Sequence, residues 1–329
     1  MTIEFTLPLP RGFRLEAARA FFASFVPGSG MAAADAGPDR LTLAFRVDRT
    51  FAPAVVSLRE GGGVLRARLA GGAERDVVAR QLGRILGLEG DAAAWAALGK
   101  RDPIIGKLQK SYAGFFTATK PSPYDAAAWA VIAPRVSIAQ AAKTKLAIAR
   151  ALGDAITLEG VTHHVFPSPA KLVGVRAFPG LTEEKAARLR GVASAALEGR
   201  LDVDRLRAKP ELEALAELQT LRGVGPWAAS HIYYRGAAPM DGLPTVEPRV
   251  LHGLASVYGL SAPTAATFAR IAEGWRPFRM WVCVLLARHL GRVGGWRAPS
   301  LPRERAAAAR VLAARTAKVA SGSSRVARG

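Results

Sequence analysis

The sequence predicts an α+β N-terminal domain, an antiparallel sheet with helices, followed by an all-α domain. Three observations carry this. Near the N-terminus, apolar and polar residues alternate in short runs, as half-buried strands do. From Tyr124 the apolar spacing becomes helical almost without a break, and proline recurs at expected first helical turns, where its missing N–H costs nothing. Between two of those helices lies Gly223-Val224-Gly225, whose glycines allow a tight turn with positive backbone angles.

Taken in order, Ile3 to Leu9 reads as a strand and Leu15 to Phe25 as a helix. Leu41 to Val47, Val55 to Leu58 and Val64 to Leu69 read as strands separated by glycine-rich turns, and Val77 to Leu88 as an amphipathic helix. Asp125 is expected to cap a helix over Ala126 to Ala133. Further helices are expected at Ile138 to Leu152, Pro169 to Val175, Glu183 to Glu198, Pro210 to Thr220, Pro226 to Arg235, Pro248 to Tyr258, Ala262 to Glu273 and Pro277 to Leu290. The α+β domain is assigned to residues 1–115 and the all-α domain to 116–297. Residues 298–329 read as a basic, disordered tail.

A chain of 329 residues, half of them hydrophobic, suits two or three packed domains. The net charge of +20 attracts polyanions, of which nucleic acid is the commonest. Arginine-rich codon usage is the competing explanation, and an anionic membrane surface a third. The single cysteine, Cys283, can form neither an internal disulfide nor a cysteine-based metal site, and it sits in an apolar run as a small core residue would. His163 and His164 are adjacent, so they point apart on any regular element and make a poor metal pair. The expected metal complement is none. No run reaches the roughly twenty apolar residues of a membrane span, and no signal-peptide pattern follows Met1. The expectation is a cytoplasmic, nucleoid-associated monomer with no membrane contact.

The most informative stretch is LQTLRGVGPWAASHIYY, from Leu218. A helix ends in Leu221-Arg222-Gly223-Val224-Gly225 and another starts at Pro226. The turn lets backbone approach a ligand closely, and the next helix offers unpaired N–H groups suited to phosphate. Such a device holds a sugar-phosphate backbone without reading bases. An ordinary helix–helix turn would carry the same pattern. Downstream, Leu243-Pro244-Thr245-Val246-Glu247-Pro248-Arg249-Val250 places Pro248 at a helix start and Glu247 at its N-cap. A carboxylate there can stabilise a developing oxocarbenium sugar or steer a water. It can also be a plain cap, although glutamate is not a favoured one.

With these residues in view, the chain resembles the helix-hairpin-helix DNA glycosylases, in particular the 3-methyladenine glycosylase II branch. LRGVGPWAAS resembles the hairpin signature, and LPTVEPRV lies where the superfamily places its glycine/proline-rich loop and acid. GWRPFRMWVCVLLARHL is similar to the branch's terminal helix, and FPSPAKLVGVRAFPG to its Phe-Pro-x-Pro segment. The resemblance implies duplex DNA with damaged bases as partner, flipping of the damaged nucleotide into a pocket, and cleavage of its glycosidic bond. It implies Glu247 as catalytic carboxylate, with Asp241 as second choice. Arg222, Gly223, Val224, Gly225 and Arg249 would contact DNA. Trp227, His231 and Trp281 would line the base pocket. No cofactor is required, and a monovalent cation at the hairpin carbonyls is implied. Bifunctional relatives carry a lysine nucleophile where this chain has Pro226-Trp227, so strand cleavage is not expected.

The chain also departs from that pattern. Glu247 replaces the family aspartate, and its extra methylene moves the carboxylate by about 1.5 Å, where an error near 1 Å can cost roughly a hundredfold in rate. Ala133-Pro134-Arg135 stands where relatives carry glycine-glutamine and a wedge. Arg135 would either fill the gap behind a flipped base or bind phosphate. His231 replaces a pocket tyrosine, and Ala287 a pocket tryptophan for which Trp281 is the substitute unless it is core. Lys185, Arg188 and Arg190 read as solvated charges, with phosphate contact as the alternative. Two functions follow: a monofunctional glycosylase for alkylated or deaminated purines, or a weak or inactive relative that binds duplex or distorted DNA. A basic RNA-associated protein is a third reading.

Overall fold

The computed structural model describes residues 2–24 and 39–293. The expected tail and the last residue of the first expected helix, Phe25, lie outside the described residues. The chain opens with β1 (Thr2–Pro8) and α1 (Leu15–Ser24), then β2 (Arg40–Arg46), β3 (Pro53–Gly61) and β4 (Val64–Gly71). These four strands form one antiparallel sheet in the order β1-β4-β3-β2. Helices α2 (Arg75–Leu86), α3 (Ala92–Arg101) and α4 (Pro103–Ser111) follow. The sequence reading passed over α3 and α4, although Asp91 and Asp102 cap them by accepting from two backbone N–H groups each.

The second half comprises α5 (Pro123–Ile132), α6 (Ile138–Leu152), a hairpin of β5 (Asp154–Leu158) and β6 (Val161–Val165), α7 (Pro169–Val173), α8 (Glu183–Leu197), α9 (Val203–Ala208) and α10 (Glu211–Gln219). Then come α11 (Pro226–His231), continued by a π-helical turn over Ile232–Ala237, α12 (Pro248–Tyr258), α13 (Ala265–Ala272) and α14 (Arg279–Val293). The predicted fold class stands, with one addition: a two-stranded hairpin interrupts the helices. Its strands are rich in β-branched residues, and its two-residue turn has positive φ at both Glu159 (52°) and Gly160 (81°), the turn that matches strand twist. Glu159 tolerates that conformation because its carboxylate is held by Arg40, by Arg68 (2.9 Å) and by Ser57 (3.1 Å).

Strand periodicity explains how the hairpin attaches. Leu43 and Phe45, Val56 and Leu58, and Ala67 and Leu69 point into the main core. The intervening Ala44, Val55 and Ala70 face the other way and pack on Leu158 and Val165 of the hairpin. The sheet is therefore covered on both faces. The main core continues without division into the helical half, where every residue of α5 except Asp125 is buried. Asp125 does not cap that helix as expected. Ser122 does, its hydroxyl accepting from the Asp125 N–H at 3.1 Å, which frees the Asp125 carboxylate for Lys145. Among the described residues, no helix is long and apolar enough to cross a membrane.

Candidate DNA-binding hairpin and its neighbouring aromatic stack

Leu221 and Val224 are buried and anchor the turn between α10 and α11, which closes through a Val224 N–H to Leu221 carbonyl bond of 2.9 Å. Gly223 has φ +83°, and a Cβ there would meet Arg188 at 2.7 Å, so both conformation and space demand glycine. Gly225 is different. Its φ is −83°, and a Cβ would meet nothing within 4 Å. The backbone thus lies open to an approaching group. Pro226 occupies the first helical position, and the N–H groups of Trp227 and Ala228 lie in a first turn with no intrahelical acceptor. Arg222 is exposed and in no ion pair among the described residues. The carbonyls of Leu221 and Gly225 each accept one backbone N–H and retain a second lone pair, so the turn still has oxygens to offer a monovalent cation. Among the described residues, no group of three or more His, Cys, Asp or Glu is placed to hold a metal.

Helix α8 joins this turn to the Ala133-Pro134-Arg135 turn after α5. Lys185 Nζ donates to the carbonyls of Ile132 (2.7 Å) and Pro134 (2.8 Å). One helical turn on, Arg188 lies against Gly223 and pairs with Glu184 at 2.5 Å. Arg135 is exposed, with φ +64°. Burial, with Arg135 and Arg188 nearby, lowers the Lys185 pKa. Lys185 is thus a strut rather than a freely solvated charge. Arg190 likewise ties down the carbonyls of Val175 and Arg176, at 3.2 and 2.9 Å. Arg135, Lys185 and Arg188 thus lie close enough to act on one another, and Arg188 brings that group up to the glycine turn.

From the hairpin, one helix face leads inward. Trp227 is 37% exposed and stacks on His231, with ring centroids 5.3 Å apart and planes at 19°. Burial, with help from Lys120 and Arg235, lowers the His231 pKa to about 3, so the imidazole is neutral at physiological pH. A further four residues on, Arg235 donates to the Ala118 carbonyl (2.8 Å); burial lowers its pKa to about 10, against the opposing pull of Glu247. The turn's far end is pinned by Arg84 to Gly236 O (3.0 Å) and by Arg207 to Ala237 O (2.7 Å).

Glu247 is half-buried at the start of α12, and its Oε1 accepts from the Arg249 N–H at 3.3 Å. Leu243, Val246 and Val250, all buried, fix the loop that presents it. Arg249 follows Pro248 in the first turn of the same helix and is partly exposed. The other two candidates fall elsewhere. Asp241 is held by Arg276 and by Arg279 (3.0 Å), a structural ion cluster at the start of α14. Trp281 is 4% exposed and packs on Trp95, Phe116 and Phe278, so it is core rather than a neighbour of Trp227.

The structure adds residues that the sequence reading missed. Beneath His231, Lys120 lies 4.8 Å from the Trp129 ring centroid and 3.6 Å from Asp125, whose other oxygen is 2.5 Å from Lys145. Burial, with Lys145 next, lowers the Lys120 pKa to about 7; the two lysines hold the Asp125 carboxyl below its usual range despite its burial. A hint existed: Lys120-Pro121-Ser122-Pro123 combines a charge with helix-start residues directly before an apolar helix.

No family model matches the chain. The DNA-3-methyladenine glycosylase of Bacillus subtilis (strain 168) is 22% identical over 226 residues, 66% of this chain and 73% of that protein. DNA-3-methyladenine glycosylase 2 of Escherichia coli (strain K12) is 28% identical over 174 residues, 51% of this chain and 56% of that protein. Among solved structures, the 3-methyladenine DNA-glycosylase from Archaeoglobus fulgidus superimposes with a TM-score of 0.72 at 20% identity, covering 89% of this chain and 100% of that one.

Proposed function

We propose that this chain, which belongs to the helix-hairpin-helix DNA glycosylase superfamily, is a monofunctional glycosylase that removes alkylated or deaminated purines from duplex DNA. One observation carries the reading: a single helix runs from an open glycine turn, past a stacked Trp227–His231 pair, to Arg235 beside Glu247. The turn and its first-turn N–H groups hold phosphate on one side of the lesion, with Arg222 adding charge. Arg135, braced by Lys185, enters the gap behind the extruded nucleotide. Trp227 offers an aromatic face to an electron-poor base, and neutral His231 adds no repulsion to a cationic one.

Cleavage then proceeds with the base as leaving group. As the bond between C1′ and the base nitrogen breaks, positive charge grows on the sugar, and the Glu247 carboxylate stabilises it. Water adds at C1′ and gives up a proton, leaving an abasic sugar and a free base. A cationic alkylpurine departs neutral and needs no proton donor; a neutral purine needs one. Pro226-Trp227 stand in the region where bifunctional relatives carry a nucleophilic lysine, so no strand cleavage follows.

The test is a screen for base release from duplexes carrying 3-methyladenine, 7-methylguanine, hypoxanthine or uracil. Release of a purine with an intact strand supports this reading. Salt-sensitive binding without release from any duplex would support the second one, a non-catalytic DNA-binding protein, which the Glu247 replacement favours. Binding that hardly responds to salt would count against both, because phosphate neutralisation releases counterions.

A further inference from the structure

The space beside Gly223 is filled from another helix. A Cβ at Gly223 would meet Arg188 Cδ at 2.7 Å, Nε at 2.8 Å and Cγ at 3.1 Å, so the Arg188 stem runs against the turn and delivers its guanidinium there. The base of that side chain is firm. Thr182 caps α8, and Lys185, one turn before Arg188, is bonded to the Ile132 and Pro134 carbonyls. The outer end stays accessible, the side chain being 35% exposed. A guanidinium carries five N–H donors. Among the described residues Arg188 uses one, from Nη2 to Glu184 Oε1 at 2.5 Å. Glu184 is itself 62% exposed and lies four residues earlier, in the first turn of α8. Such a pair on a helix surface is worth only about a factor of two in an equilibrium constant. A guanidinium fork on a phosphate is charge-assisted on both sides and is the stronger contact. Two residues beyond Gly223, the backbone at Gly225 stands open, with nothing within 4 Å of where a side chain would start. A phosphate seated on this turn therefore meets a guanidinium that loses little by turning to it.

We propose that Arg188 is a further phosphate ligand at the glycine turn, and that Glu184 stands in for the phosphate until DNA arrives. Binding exchanges one carboxylate for one phosphate on the same guanidinium. Glu184 holds the side chain extended along the turn in the free protein, and it competes with DNA for the same donors. Arg190 has no such part, since its guanidinium is committed to the carbonyls of Val175 and Arg176. The proposal rests on the DNA-binding half of the reading above and is independent of base release.

The experiment measures equilibrium binding of an undamaged, fluorescein-labelled duplex over a range of salt concentrations, with urea unfolding of each variant alongside. Arg188→Gln should reduce the slope of log affinity against log salt by about one. Arg188→Lys, which keeps the charge and loses the fork, should keep the slope and bind more weakly. Arg190→Gln removes the same charge from the same helix and should leave the slope as it is. Glu184→Gln should tighten binding, and in that background the loss caused by Arg188→Gln should grow by about a factor of two, the worth of the pair that no longer competes. A wild-type slope in Arg188→Gln, or an equal drop in Arg190→Gln, overturns the phosphate contact, the second by showing a general effect of net charge. A loss from Arg188→Gln that is unchanged or smaller without Glu184 overturns the exchange, because Glu184 would then aim Arg188 rather than occupy it. Wild-type binding that ignores salt overturns the DNA-binding reading and this proposal together, whereas a failure to release any base counts against the glycosylase chemistry alone.

Discussion

Replacing Lys185 by methionine keeps the aliphatic stem and deletes the two hydrogen bonds to the Ile132 and Pro134 carbonyls, 2.7 and 2.8 Å long. Removing a hydrogen bond to a charged group costs about 1.5–3 kcal/mol when both partners are buried. Here the lysine is partly exposed, water can replace it, and its removal relieves repulsion from Arg135 and Arg188. The net cost to folding should therefore be about 1 kcal/mol, readable as a lower urea midpoint at unchanged slope. The larger effect falls on Arg135. Its left-handed backbone costs roughly 1–2 kcal/mol and persists only while its turn is held. Once the turn relaxes, Arg135 loses its aim, and extrusion of the lesion, followed by 2-aminopurine fluorescence beside it, should slow about tenfold. A lysine that merely touched phosphate would instead reduce the slope of log affinity against log salt by about one. Unchanged extrusion together with a reduced salt slope would refute the strut.

Other perturbations separate structure from function. Gly223→Ala must adopt φ +83° and displace Arg188, so it should lose about 1–2 kcal/mol of stability along with DNA affinity. Gly225→Ala should leave stability nearly unchanged, since its Cβ meets nothing, yet weaken DNA binding by placing a methyl in the phosphate's path; equal affinity would show that phosphate does not approach there. Trp281→Ala should cost about 3–5 kcal/mol in thermal or chemical unfolding, with no change in lesion preference in the protein that remains folded. Lys120 has its pKa lowered from 10.5 to about 7, so above pH 7 the unfolded chain holds a proton that the folded one has lost. Stability relative to Lys120→Met should rise between pH 7 and 8.5, by at most about 1.4 kcal/mol per pH unit. A difference that stays level would mean that Lys120 remains charged.

The features legible in the sequence were those set by local rules. Helices α6 and α12 begin and end where the spacing puts them, because Ser137 caps the first and Gly259, in the left-handed conformation, stops the second. Glu247 reads as an N-cap because Pro248 leaves it no other place. The hairpin is legible for the same reason: Gly223 takes φ +83°, a conformation open to glycine and costly for other residues, so the turn is written in its own residues. What escaped depends on partners far away in the chain. Asp125 looked like a cap, yet Ser122 lies three residues earlier and Lys145 twenty residues later. The β5–β6 hairpin is hidden because its apolar face fits the outer face of a sheet more than eighty residues upstream. From the sequence Trp227 reads as a pocket residue, and Trp281 as either a substitute for a pocket tryptophan or core. Only the packing of α3 and α14 shows that one is core and the other lies at the surface.

Single-turnover release of 3-methyladenine by wild type and by Glu247→Gln, on one duplex and with enzyme in excess, tests most directly whether this carboxylate does the chemistry. Glutamine can still accept from the Arg249 N–H, so folding and DNA affinity should hold while the rate falls about a hundredfold or more. Equal rates in the two proteins would contradict the assignment.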